Sequence, residues 1–67
     1  MEYTNSQIRE RIAEMIHSER DRLILQRRLI DGVTFEKLGE EFELSVSQVK
    51  RIIWKNSERV FNDLKKV

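Results

Sequence analysis

The chain predicts a small all-α domain of four helices. Three observations carry this expectation. Its 67 residues include no proline and only two glycines, whereas an all-β fold needs many turn residues. Hydrophobic residues make up 39% and charged residues 37%, a balance that fits a compact helical domain better than a disordered chain. Apolar residues recur at spacings of three and four in successive segments, with helix-capping residues between them. The length suits one domain, residues 1–67. So small a domain buries only ~60% of the surface its unfolded chain exposes, so its stability margin is small and a partner or second copy would add to it.

In the first segment Ser6 or Asn5 can cap a helix reaching about Ile16. Ile8, Ile12, Met15 and Ile16 form one apolar stripe, with Arg9, Glu10, Arg11 and Glu14 off it. Ser18 is a good cap for a second helix, with Glu19 and Asp21 in its first turn, where the helix dipole favours acid. Leu23, Ile24, Leu25, Leu29 and Ile30 spread around most of its circumference, the pattern of a central helix. Asp31-Gly32 ends it, with Gly32 free to turn left-handed. Thr34 caps a short third helix, Phe35 to about Phe42, whose Phe35, Leu38 and Phe42 repeat at three and four. Gly39 in its middle costs ~1 kcal/mol relative to alanine, so close approach of another helix is expected there.

The fourth start is the clearest. Ser45-Val46-Ser47-Gln48 is a capping box, and Leu44 before it can staple onto Val49. This helix is expected to run to about Leu64. Leu38, Gly39, Phe42 and Leu44, then Val49 and Ile52 after a connection of about three residues, make the apolar skeleton of a helix-turn-helix at about residues 34–58.

Several functions are unsupported by the residues. No cysteine is present, so neither a disulfide framework nor a thiolate metal site is expected. His17 is the single histidine and suits a helix end better than catalysis or metal binding. The carboxylates are spread over solvated helix faces, and no glycine-rich phosphate loop occurs. We therefore expect no enzyme, no cofactor and no metal. With no apolar run near the ~20 residues of a membrane span and no signal-peptide pattern in Met1-Glu2-Tyr3-Thr4, a cytoplasmic protein is expected.

Net charge is only +1, but it is unevenly placed. Residues 1–33 are neutral, and residues 34–45 hold Lys37 against four glutamates. Residues 46–67 hold six basic groups against Glu58 and Asp63. A locally basic helix bears on partners more than the total does. At 100° per residue, Val49, Ile52, Ile53, Asn56 and Val60 share the inward side of the fourth helix, and Ser47, Gln48, Arg51, Lys55 and Glu58 the outward side. Lys50 and Trp54 are placed on one flank, with Phe61 continuing it.

This outer face suits a major groove of double-stranded DNA. Gln48 fits adenine, and Arg51 or Lys50 fits guanine. Ser47 can bond a base or a phosphate, and Lys55 and Arg59 are placed for phosphates. The plainer alternative is that Lys50, Arg51 and Lys55 form only the solvated face of a bundle. Trp54 is expected in the core against Ile8, Ile12 and Tyr3; the other option is that Trp54 and Phe61 form a homodimer contact on two half-sites.

Residues 19–60 resemble region four, the promoter-binding C-terminal domain, of bacterial sigma factors. Glu19 to Leu25 is similar to that family's opening helix, Thr34 to Ser45 to its first motif helix and turn, and Val46 to Ile52 to its recognition helix. The element order also resembles response-regulator C-terminal domains, and small phage-encoded regulators share the pattern. The resemblance implies base-facing roles for Ser47, Gln48, Lys50 and Arg51. Two features depart from it: Glu43 stands where the turn usually has glycine, and nothing resembles the core-polymerase and −10 promoter-binding domain of a sigma factor. The expected function is sequence-specific DNA binding by a free-standing transcriptional regulator or sigma-like accessory factor. Two alternatives stay open: a module docking onto RNA polymerase or another protein, and non-specific DNA packaging or recombination.

Overall fold

The computed structural model describes residues 4–65, with side chains described to Phe61. It contains four helices: α1 (Asn5–Met15), α2 (Glu19–Leu29), α3 (Phe35–Phe42) and α4 (Val46–Lys65). No strand occurs among the described residues, so the all-α, four-helix expectation holds. The long α4 packs against each of the other three helices.

α1 begins one residue earlier than an Asn5 cap would place it, and two earlier than a Ser6 cap would. Thr4 is the cap: its Oγ1 accepts the Gln7 N–H at 3.1 Å, and the Thr4 N–H donates to Gln7 Oε1 at 3.0 Å. This reciprocal pair satisfies two otherwise orphaned donors, which a lone serine or asparagine cap would not. α1 then buries Ile12 fully, Ile16 lies buried just beyond its end, and Ile8 and Met15 pack beside them.

α2 starts as the sequence predicts, with Ser18 Oγ accepting the Asp21 N–H at 3.3 Å. Ile24 and Leu25 are fully buried, but Leu23 is 46% exposed. The helix is therefore less central than its apolar content implied. Gly32 takes φ +71°, and the Val33 N–H reaches back to the Arg27 carbonyl at 3.1 Å. The Arg28 guanidinium donates to the Val33 carbonyl at 3.0 Å and lies 4.3 Å from the Phe35 ring centre, tying the end of α2 to the start of α3.

α3 has the bounds and the Thr34 cap expected, with Thr34 Oγ1 accepting the Lys37 N–H at 3.2 Å. Its Leu38 is fully buried with Val49, Ile53 and Val60 of α4, while Phe42, Leu44 and Ile52 pack at the edge of this core. Ile53 thus enters the core more deeply than Ile52. On the outside, Arg27 of α2 grips Glu41 of α3 with two bonds, one of them Nε to Oε1 at 3.1 Å, and also reaches Asp31. The hydrogen bond from Arg27, and then its charge, hold the Glu41 carboxyl below its ordinary range despite the opposing effect of desolvation.

The reason for Gly39 differs from the one expected. A Cβ at this position would meet the Leu44 carbonyl oxygen at 2.6 Å, with Ser45 backbone beyond it. The chain's own turn closes over Gly39, rather than a neighbouring helix. The Leu44 N–H donates to the Gly39 carbonyl at 2.9 Å and seals this closure. Glu43 makes the reversal possible by adopting φ 57° and ψ 45°, the left-handed conformation that glycine takes without strain.

Candidate nucleic-acid interface

The turn sets where α4 begins, and the cap fixes how its first turn is held. The Ser45 N–H donates to Gln48 Oε1 at 2.9 Å, and Ser45 Oγ accepts the Gln48 N–H at 3.1 Å. This is the expected capping box, and Leu44 packs beside the core that holds Val49. It carries a consequence for Gln48. Bidentate pairing with adenine uses the side-chain oxygen as acceptor and the nitrogen as donor. Here that oxygen is engaged by the cap, so bidentate reading by Gln48 requires the cap bond to open.

The apolar side of α4 follows the sequence pattern. Val49, Ile53 and Val60 are buried, and Asn56 is 6% exposed among them. Asn56 is accommodated because its Nδ2 donates to the Ile52 carbonyl at 2.8 Å and to Asp21 Oδ2 of α2 at 3.5 Å. The opposite side presents Ser47, Gln48, Arg51, Lys55, Glu58 and Arg59 to solvent.

Lys50 is half-buried, with its ammonium 5.6 Å from the centre of the Phe35 ring. Phe35 of α3 thus has the Arg28 guanidinium and, further off, the Lys50 ammonium within cation–π reach. Of the five positions expected to face DNA, Ser47, Lys50 and Arg51 line one shallow groove. Arg51 and Lys55 line a second cleft, and Gln48 is turned to the cap.

Trp54 overturns its expected place in the core. It is 62% exposed and lines the same groove as Ser47, Lys50 and Arg51. The physical reason is angular: at about 100° per residue, seven positions bring Trp54 to within about 20° of Ser47, on the outward face rather than a flank. Tyr3, the third expected neighbour, lies outside the described residues. Phe61 behaves differently and packs, half-buried, against the core.

The second cleft lies between the start of α2 and the middle of α4. Arg20, Asp21, Arg51, Ile52, Lys55, Asn56 and Arg59 line it. Four cations therefore converge there, of which the Arg20 guanidinium also donates to Asp21 Oδ1 at 3.3 and 3.2 Å. Sequence reasoning missed Arg20, because Glu19-Arg20-Asp21 reads locally as a helix start. Packing of α2 on α4, through the shared core and the Asn56–Asp21 bond, joins Arg20 to the basic run.

Among the described residues no group of three or more His, Cys, Asp or Glu side chains could hold a metal ion. No helix there is long and apolar enough to cross a membrane. Comparison with protein families matches residues 18–55, more than half of the chain, to the family described as sigma-70, region 4. No curated protein and no solved structure matches the chain.

Proposed function

The protein belongs to the sigma-70 region 4 family, and from that premise we propose that it reads a specific sequence in double-stranded DNA with the exposed face of α4. The family is a DNA-binding, non-catalytic helix-turn-helix region. The finer assignment rests on the outward row of Ser47, Arg51 and Lys55 on a helix whose opposite side is locked to α3 by Leu38 and Val49. A helix anchored on its other side that presents a hydroxyl and cations along one face matches the donor and acceptor pattern of a major groove.

In this scheme Arg51 reads guanine, and Lys50 assists from its position beside Phe35. Ser47 bonds a base or phosphate near the helix start. Lys55 and Arg59, joined by Arg20, hold backbone phosphates and so fix register without reading bases. Gln48 serves the cap first and reaches a base through its free amide nitrogen.

The chain, as one domain over residues 1–67, acts as a transcriptional regulator or sigma-like accessory factor in the cytoplasm. A single such unit contacts few base pairs, so tight binding calls for a second copy on an adjacent half-site or for RNA polymerase as a protein partner.

Selection of bound duplexes from a random pool tests this function. The expected result is an enriched sequence whose affinity falls by about 1–3 kcal/mol with Arg51→Ala, while the circular dichroism spectrum is unchanged. No enrichment, together with no binding at low salt, would overturn it. Enrichment of no consensus despite strong low-salt binding would favour packaging or recombination.

A further inference from the structure

Among the described residues, Trp54 is the one large apolar side chain exposed on a face that otherwise presents Ser47, Gln48, Arg51, Lys55, Glu58 and Arg59. An indole is amphipathic, with an apolar body and one N–H donor. Exposure of 62% leaves most of that body in water. Its groove neighbours are a hydroxyl and two cations, Ser47, Lys50 and Arg51. The neighbouring cations suit a polyanion and disfavour an ordinary apolar protein surface, which would have to strip water from both of them.

The reach is also suitable. Ser47 and Trp54 are separated along the helix axis by about 10 Å at 1.5 Å per residue. A major groove about 12 Å wide therefore accommodates both at once. The apolar feature that this groove offers is the 5-methyl group of thymine, and apolar side chains are its matching readers.

We propose that Trp54 is a specificity-determining residue that packs its indole on thymine 5-methyl groups in the major groove, beside the bases read by Arg51. This rests on the DNA-reading function proposed above and names a base class within its target. The target site should then carry thymine next to the guanine contacted by Arg51. Burial of the indole against methyl groups contributes apolar stabilisation that Arg51 and Lys55 do not supply.

The test uses the duplex enriched by the wild-type chain, synthesised once with thymine and once with uracil, which lacks the methyl group. Replacement of thymine should weaken wild-type binding about four-fold for each methyl contacted. Trp54→Ala should bind both duplexes equally, and Trp54→Phe should keep part of the difference. Since the chain has one tryptophan, its emission reports the contact directly: binding of the thymine duplex should shift it and shield it from a soluble quencher.

Equal wild-type affinity for the two duplexes would overturn the proposal, as would an indole that stays quenchable in the complex. Loss of a solution dimer in Trp54→Ala, with thymine sensitivity retained, would assign the face to a second copy and also overturn it. Each of these outcomes leaves duplex binding intact, whereas failure of the DNA-reading function would appear earlier, as the absence of any enriched duplex.

Discussion

Gly39→Ala probes the turn that joins α3 to α4. The new Cβ would stand 2.6 Å from the Leu44 carbonyl oxygen, against 3.4–4 Å for ordinary contact, and the obstacle is backbone rather than a flexible side-chain tip. Either the turn or α3 must move by most of an ångström. Movement of the turn weakens the Leu44 N–H bond to the Gly39 carbonyl and strains the left-handed Glu43.

Alanine gains ~1 kcal/mol in helix propensity. Forced overpacking costs about 1–3 kcal/mol, and loss of the hydrogen bond about 1 kcal/mol more. The net destabilisation expected is about 2 kcal/mol, which for a domain of this size lowers Tm by about 8–16 °C. Thermal unfolding followed by circular dichroism at 222 nm measures it. Gly32→Ala is the control: Gly32 has φ +71° but nothing within 4 Å, so only backbone strain of about 1 kcal/mol is expected. A Gly39→Ala protein that melts at or above the wild-type temperature would refute the closure of the turn over Gly39.

Glu43→Gly should act in the opposite sense, since glycine occupies φ 57° without strain; a gain of about 1 kcal/mol in urea unfolding is expected. Lys55→Ala should leave the preferred sequence unchanged but reduce the slope of log affinity against log salt by about one, measured by fluorescence anisotropy of a labelled duplex. Glu41→Gln should lose the extra stability that the Arg27 pair gives the wild type. The Glu41 carboxyl is held below its ordinary value in the folded chain, so that stability is present above the unfolded glutamate's titration. It is lost as pH falls through the lower folded value. The two proteins should therefore differ in Tm at neutral pH and converge in acid. Ser45→Ala should cost about 1 kcal/mol by leaving the first turn of α4 uncapped, read from its Tm.

Local chemistry made most of the fold legible. Ser18, Thr34 and Ser45 act at once through neighbours three residues away, so their sequence context is their structural context. The stripe of Leu38, Val49 and Ile53 follows for a similar reason, because helical periodicity alone decides which side is apolar. Thr4 escaped because Asn5 and Ser6 are equally good caps in isolation, and Gln7 decides among them.

Long-range geometry was less visible. Gly39 announced a close approach but not what approaches, since the turn's path depends on Glu43 turning left-handed. Arg20 joined the basic cleft only through the packing of α2 on α4. Trp54 shows a different failure: its placement on a flank with Phe61 suggested burial, while its angle on the helix puts it outside. Gln48 was found in two roles by sequence, and the cap has first use of its oxygen.

Amide chemical shifts of the labelled chain, recorded during titration with its enriched duplex, test most directly whether the exposed face of α4 reads DNA. The largest changes are expected along Ser47, Lys50, Arg51, Trp54 and Lys55, with smaller ones at Arg20 and little at Ile12 or Glu14 of α1. Strong changes confined to α1, with α4 unaffected, would contradict it.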